Sequence, residues 1–253
     1  MTERKLWTRE ELILAINLYC KTPFGKIHDR NPDIIDLASK LGRSPGSVGY
    51  KLANFASIDP SLDRKGASNV SQLDRQVWGE FYNNWDEMAF ESEKLLAKLE
   101  NKSVTELEPA SDEAVFEEGK TKNAIIKVRV NQAFFRKMVL SAYDNTCCIT
   151  GISIPDLLIA SHIVPWSKDS KNRLNPRNGL CLNALHDRAF DKGYITISED
   201  LRIVVSRSIY KQKSKQPNIA VITDFENKKI RLPNRFLPDY GFLEHHRKNI
   251  FRA

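Results

Sequence analysis

The sequence predicts an α+β protein in which an all-helical N-terminal part precedes a mixed part of strands and helices. Apolar residues recur every three or four positions through residues 1–102, which is typical of amphipathic helices. Residues 103–119 are acidic and have no periodicity, and short alternating apolar runs typical of strands follow them. We therefore predict a helical domain at 1–102, a linker at 103–119 and a second domain at 120–253.

The composition is that of a globular protein. Of the 253 residues, 41% are hydrophobic and 28% are charged, which excludes wholesale disorder. The apolar runs are short and the N-terminus is charged, so we expect no membrane span and no secretory signal. Four cysteines are too few for a disulfide framework in a chain of this length, and we expect a cytoplasmic protein.

The net charge of +7 is unevenly distributed along the chain. Residues 1–102 hold 15 basic and 15 acidic residues, and 103–119 hold 6 acidic residues and none that is basic. Residues 120–253 hold 24 basic and 11 acidic residues, a net charge of +13. Such a segment attracts polyanions, so nucleic acid is the expected partner. A basic surface that serves only solubility is the alternative.

Three helices are predicted at the start of the chain. Thr8 is a suitable cap for a helix from Arg9, and a second helix spans about Pro32 to Leu41 with Gly42 just past its end. A third helix begins near Ser44.

This order of helix, short break and helix resembles a helix-turn-helix, and the opening Trp7-Thr8 with its following glutamates is similar to Myb-like domains. The resemblance implies that the third helix lies in the major groove of DNA. The side chains expected to face outward are Ser47, Tyr50, Lys51 and Asn54. An ordinary helical bundle, favoured by the balanced charge, is the alternative.

Residues 71–102 carry a broad apolar stripe at helical spacing, and Ser71 with Asp74 is a capping pair. We predict one long amphipathic helix that packs on the N-terminal bundle. A homodimer seam is the alternative use of this face.

The second domain is predicted to alternate strands and helices. In chain order the sequence predicts a strand at Ile125–Val130, a helix at Gln132–Tyr143, strands at Leu157–Ile163 and Leu180–Leu182, a helix at Ala184–Lys192 stopped by Gly193, and a hairpin of Tyr194–Ile197 with Leu201–Val205.

Polar residues mark three places in this domain. Ser161-His162-Ile163 ends a predicted strand, Asn178-Gly179-Leu180 follows sixteen residues later, and His186-Asp187 lies on the next helix. This order resembles the signature of the HNH nucleases, and the surrounding sequence over about 125–253 is similar to bacterial restriction-type HNH domains. The resemblance implies a ββα-metal fold and an endonuclease that hydrolyses phosphodiester bonds of double-stranded DNA in restriction or defence.

The resemblance also implies a role for each signature residue. His162 is expected to be the general base, because histidine has an unperturbed pKa of about 6.5 and is neutral near pH 7. A divalent cation, Mg²⁺ first and Mn²⁺ second, is expected to neutralise developing charge, and His186 is expected to hold it. Asn178 is expected to hydrogen-bond the backbone across the loop and to orient His162.

Two positions depart from the family pattern. Ser161 stands where many HNH nucleases have a second metal ligand, and Phe190 stands one helical turn after His186. Asp187 and Asp191 are rotated by about 100° and 140° from His186 on a helix. We therefore expect either a metal with few protein ligands and several waters, or a carboxylate from elsewhere in the chain.

Arginines near the signature are expected to contact DNA phosphates. They are Arg173 and Arg177 on the loop and Arg188 on the helix.

No structural zinc is expected, because Cys147, Cys148 and Cys181 form no CxxC pair. Buried reduced thiols are the prediction for these cysteines.

Two rival functions use the same features. One is a DNA-binding regulator whose HNH domain is degenerate and inactive, with Ser161 as the sign of decay. The other is a mobile-element endonuclease that nicks one strand.

Overall fold

The structure, a computed structural model, describes residues 5–62, 67, 69–106, 122–211 and 217–253. Its internal contacts divide the chain into two compact units, residues 1–138 and 139–253. The predicted α+β class is confirmed. Most of the predicted linker, 103–119, lies outside the described residues and stays a prediction. Within the described ranges, no helix is both long enough and apolar enough to cross a bilayer.

The described part of the first unit is helical. It contains α1 (Arg9–Lys21), α2 (Pro32–Leu41), α3 (Pro45–Ile58), α4 (Gln72–Asn83), α5 (Trp85–Leu99) and the first part of α6 (Lys122–Ala142).

The predicted ends of the first three helices are confirmed. The Thr8 hydroxyl accepts from the backbone N–H of Glu11, and the Glu11 carboxylate accepts from the backbone N–H of Thr8. Gly42 ends α2 with φ +60, a left-handed conformation that glycine adopts readily. Ser44 caps α3 through the backbone N–H of Ser47.

An aromatic cluster forms the centre of this unit. Tyr19 of α1 lies edge-on to Trp78 of α4, with ring centres 5.6 Å apart, and Phe55 of α3 stacks on Trp78 at 5.8 Å. Tyr19 and Phe55 are fully buried, and the Tyr19 hydroxyl donates to Asp59 at 2.8 Å. Burying these large rings together stabilises the bundle and fixes how the three helices cross.

The prediction of one continuous helix over 71–102 is wrong. Asn84 has φ −148 and ψ 64, outside the helical region, and separates α4 from α5. Its side chain caps α5 by accepting from the backbone N–H of Glu87. The apolar stripe continues through the break, so its periodicity alone did not reveal the break.

The predicted strand Ile125–Val130 is also wrong, because these residues belong to α6. Lys127 pairs with Asp86 at 2.6 Å, and the Asn131 amide donates to the Asp86 carboxylate at 2.9 Å. Residues four apart are neighbours on one face of a helix, whereas in a strand they would be about 13 Å apart and could not both reach Asp86. These contacts with α5 therefore fix a helix in a segment whose β-branched residues alternate like a strand.

The second unit contains two antiparallel strand pairs with short helices around them. Its described elements after α6 are β1 (Leu158–His162), β2 (Gly179–Asn183), α7 (Ala184–Asp191), β3 (Ile195–Ile197), β4 (Ile203–Val205), α8 (Arg207–Tyr210), α9 (Ala220–Thr223) and α10 (Tyr240–Asn249). β1 pairs with β2, and β3 pairs with β4. Both predicted strand pairs and the predicted α7 helix are confirmed.

The register of the first pair sets the geometry of the site. Leu158 lies opposite Asn183 at one end of the pair, and His162 lies opposite Gly179 at the other. α7 begins directly after Asn183 and packs on both strands. The first turn of α7 therefore starts at the end of the hairpin that is distant from His162.

Candidate active site

His162 lies at the end of β1, and its Nε2 is 2.9 Å from the backbone carbonyl oxygen of Arg173. A carbonyl only accepts, so Nε2 carries the proton, and in the neutral ring Nδ1 keeps the lone pair. Burial lowers the pKa of His162 from 6.5 to about 4. The hydrogen bond to the Arg173 carbonyl opposes this shift, and the positive charge of Arg173 adds to it. The ring is therefore a neutral base at pH 7.

Asn178 ties down the loop between β1 and β2. Its side-chain oxygen accepts from the backbone N–H of Val164 at 2.8 Å, and its amide donates to the carbonyls of Val164 and Asn172 at 3.1 and 3.3 Å. Its side chain is fully buried. The structure thus places Asn178 across the loop that carries Arg173, and through the Arg173 carbonyl this loop holds His162.

Trp166 and Arg173 lie on the same loop and contact each other. Arg173 Nε donates to the Trp166 carbonyl at 2.8 Å, and the guanidinium carbon lies 5.2 Å from the centre of the indole. The Trp166 ring is also edge-on to His162, at 5.5 Å and 84°. Base, arginine and tryptophan form one cluster.

Ser161 does not join this cluster. It precedes His162 on β1, so its side chain points to the opposite face of the strand. Its hydroxyl is buried and has no hydrogen-bond partner among the described residues.

His186 is held by the residue that caps α7. The Asn183 side-chain oxygen accepts from the backbone N–H of His186 at 3.0 Å and lies 3.1 Å from His186 Nδ1. Since this oxygen accepts, Nδ1 carries the proton and Nε2 has the lone pair. Burial lowers the pKa of His186, while the nearby Val221 carbonyl opposes the shift. That carbonyl makes no hydrogen bond of good geometry with Nε2.

The surroundings of His186 are apolar. Its ring is edge-on to Phe225 at 5.3 Å, and it lines a cavity of about 530 Å³ whose walls include Ile152, Leu157 and Val221. Thr150 and Asn183 also line this cavity and carry side-chain oxygens, but no carboxylate lines it to balance the charge of a cation. That His186 binds the catalytic metal stays a prediction.

Two other acidic residues lie on α7. Asp187 is half-buried and Asp191 is exposed. Being four residues apart, they share one face of the helix, and Asp187 is rotated by about 100° from His186. No group of three or more His, Cys, Asp or Glu side chains within the described residues is arranged to hold a metal ion. Carboxylate oxygens nevertheless suit Mg²⁺, which keeps several waters.

The other predicted DNA contacts have different surroundings. Arg177 pairs with Asp239 at 3.0 Å and keeps 38% of its side chain exposed. Arg188 is exposed on α7. Both guanidinium groups can reach solvent.

The prediction that Lys51 and Asn54 face outward from α3 is wrong. Lys51 Nζ donates to both carboxylate oxygens of Asp74, at 2.8 and 2.9 Å, and lies 5.2 Å from the centre of the Trp7 ring. Asn54 is 2% exposed. Of the four predicted residues, Tyr50 is the exposed one, at 48%. The Lys51 ammonium is paired with Asp74, and the DNA contact of Lys51 stays a prediction.

Sequence reasoning missed Asn183 and Trp166. Asn183 stands directly before the predicted helix, a position where asparagine is a preferred cap, so that signal was present. Trp166 lies in a polar loop. No sequence spacing predicts that this residue packs beside His162, whose hydrogen-bond partner Arg173 is eleven residues further along the chain. All four cysteines are buried, and none of them forms a disulfide in the described part of the chain.

Part of the chain is similar to known proteins. Residues 147–198 match the family model described as HNH endonuclease. A solved structure titled modification-dependent TagI restriction endonuclease is 21% identical over 47% of this chain and 38% of that chain, with a TM-score of 0.34. The chain thus covers well under half of that protein. No curated protein matches the chain.

Proposed function

We propose that this chain, which carries an HNH endonuclease domain at residues 147–198, hydrolyses phosphodiester bonds of double-stranded DNA with a divalent metal. The observation that carries the proposal is the hydrogen bond from His162 Nε2 to the Arg173 carbonyl. It fixes the tautomer in which Nδ1 accepts a proton. A role in bacterial restriction or defence is part of the proposal.

His162 acts as the general base. Its Nδ1 takes a proton from a water molecule as the water oxygen attacks phosphorus, and the bond to the 3′ oxygen breaks. Asn178 keeps the loop in place, so that the Arg173 carbonyl stabilises the imidazolium that forms. A neutral base with its proton fixed on Nε2 argues against the decayed regulator.

A bound divalent cation would polarise the phosphoryl oxygen and neutralise the departing oxygen. We assign its protein ligands to Asp187 and Asp191 rather than to His186, because hard oxygen donors suit Mg²⁺ and Mn²⁺. Waters complete such a site. Replacing either aspartate with asparagine should raise the Mg²⁺ concentration needed for half-maximal cleavage, whereas a metal-binding His186 would give that result for His186→Gln instead.

Basic side chains of the second unit bind the DNA backbone. Arg177 and Arg188 have guanidinium groups that reach solvent, and residues 120–253 carry the +13 charge. Phosphate contacts of this kind set register on the duplex without reading its sequence.

The test is cleavage of supercoiled plasmid DNA by the purified protein with Mg²⁺, with Mn²⁺ and with EDTA. We expect metal-dependent cleavage that His162→Ala abolishes and that His28→Ala, a change at an exposed histidine of the first unit, leaves intact. Arrest at open circles would favour the nicking enzyme, and linear product a double-strand cutter. Intact DNA under every metal condition, or a His162→Ala variant as fast as the parent, would contradict the proposal.

A further inference from the structure

The guanidinium of Arg173 is held on one side only. Its Nε donates to the Trp166 carbonyl at 2.8 Å, and the group lies against the indole with its carbon 5.2 Å from the ring centre. No hydrogen bond joins Nη1 or Nη2 to another of the described residues. The two Nη groups therefore present a planar pair of donors that is already oriented.

These donors lie beside the general base. The backbone carbonyl of Arg173 accepts from His162, and the ring of Trp166 contacts both side chains, edge-on to His162 at 5.5 Å and 5.2 Å from the guanidinium carbon. The same indole ring contacts both the imidazole and the guanidinium, so the two groups belong to one cluster. An anion bound by the Nη groups would lie in the cluster that holds the general base.

We propose that Arg173 binds the scissile phosphate through Nη1 and Nη2, as a catalytic residue, and that Trp166 is a positioning residue that holds the guanidinium in place. The proposal rests on the nuclease function given above. Two parallel N–H donors match two phosphate oxygens, which a lysine ammonium cannot reproduce. The indole face attracts the cation and limits its rotation.

The loop gives this arrangement its rigidity. Asn178 bonds the backbone of Val164, two residues before Trp166, and the backbone of Asn172, directly before Arg173. With both ends fixed, the guanidinium loses little further freedom when it binds a phosphate. The same loop therefore positions the base and the phosphate ligand together.

The experiment compares single-turnover cleavage rates of four variants. Arg173→Met keeps the backbone carbonyl that holds His162 and removes the charge, and we expect a rate about 10- to 100-fold lower. Trp166→Leu should lower the cleavage rate by a smaller factor than Arg173→Met, and Trp166→Phe, which restores a ring face, should have a rate close to that of the parent. Trp166→Leu combined with Arg173→Met should be no slower than Arg173→Met alone, because Trp166 acts through Arg173.

A matched control lies elsewhere in the same unit. The Arg252 guanidinium carbon is 4.9 Å from the centre of the Tyr194 ring, and Arg252→Met should leave the rate unchanged. Thermal unfolding of each variant checks the fold. An Arg173→Met rate within about twofold of the parent, or losses that multiply in the double variant, would overturn the proposal.

Binding of a short DNA duplex in EDTA separates this proposal from the nuclease function. Arg173→Met should reduce the slope of log affinity against log salt by about 0.9, the value for one phosphate contact. If the parent cleaves no DNA, the nuclease proposal fails, yet an unchanged slope would still overturn the phosphate contact of Arg173.

Discussion

The carbonyl oxygen of Arg173 and Nε2 of His162 are 2.9 Å apart, and this one contact decides which ring nitrogen acts as the base. Because burial lowers the pKa of His162 to about 4, the ring is neutral well below pH 6. The acid limb of the pH–rate profile should therefore fall near pH 4 to 5 rather than near 6.5. Single-turnover rates from about pH 3.5 upward measure it, and a midpoint near 6.5 would contradict a buried base.

Asn178→Asp should be far more harmful than its near-identical shape suggests. The Asn178 amide donates to the carbonyls of Val164 and Asn172, and a carboxylate there would face two acceptors while fully buried. We expect a loss of about 2–3 kcal/mol of unfolding free energy and cleavage reduced by more than tenfold. Asn175→Asp is the matched control, because Asn175 is half-buried, keeps the oxygen that accepts from the backbone N–H of Arg177, and loses one donated hydrogen bond, to the Asn172 side chain, instead of two to buried carbonyls. Equal losses of unfolding free energy and of cleavage in both variants would contradict a particular contribution of the buried N–H donors of Asn178.

Gly193→Ala should destabilise the second unit by about 3 kcal/mol or more. Gly193 has φ +70, and a Cβ there would lie 2.0 Å from the Ile250 carbonyl oxygen. Gly151→Ala shares the positive φ, at +76, but its Cβ would meet nothing within 4 Å, so it should cost only about 1 kcal/mol. Chemical denaturation of both variants measures the difference, and similar midpoints would argue against the close approach to Ile250.

Lys51→Met should destabilise the first unit by about 3–5 kcal/mol, because it leaves Asp74 buried without its cation. The Asp74 side chain is fully buried, whereas the Lys102 side chain is 53% exposed in its pair with Glu100. Lys102→Met should therefore cost less than about 1 kcal/mol. Urea unfolding monitored by helical circular dichroism compares the two variants. A small effect of Lys51→Met would mean that Lys51 is the outward-facing residue that the sequence suggested.

His246 should make the second unit less stable in acid. It is 1% exposed, lies stacked on Phe190 at 3.6 Å, and burial lowers its pKa from 6.5 to about 4. Between these values the unfolded chain binds a proton that the folded chain does not. Stability is therefore complete above pH 6.5 and falls as the pH drops toward 4, by up to about 3 kcal/mol.

Denaturation at pH 4.5 and pH 7 measures this loss. His246→Gln should reduce the pH dependence without abolishing it, because burial also lowers the pKa of His162 and of His186. His245→Gln, at the neighbouring position on α10, should leave the pH dependence as in the parent. A parental slope that persists in His246→Gln would assign the effect to another group.

The sequence contained most of the local signals and few of the long-range ones. Caps such as Thr8 and Ser44 act within one turn, so the starts of the first three helices were predictable. The second half of the helix at 122–142 was predicted, but residues 125–130 were not, because their helix depends on Asp86, which lies 45 residues before Asn131 in sequence. A β-branched run has only a weak intrinsic preference, and a distant contact overrides it.

The candidate site, too, was predictable in part. The positions of His162, Asn178 and the α7 helix followed from spacing and from the family resemblance. The direction in which the His186 side chain points could not be predicted in this way, because a shift of one residue on a helix rotates a side chain by about 100°. Its contacts with Asn183 and Phe225 determine that direction.

The Asn178 and Arg173 contacts also bear on how the site forms during folding. They join groups 14 and 11 residues apart, so each closes a short loop. Short loops cost little chain entropy, and contacts close in sequence form early. The general base His162, the Arg173 carbonyl that orients it and the Asn178 side chain that ties the loop together therefore meet without any distant part of the chain. A nascent chain can assemble them as soon as this stretch has emerged from the ribosome.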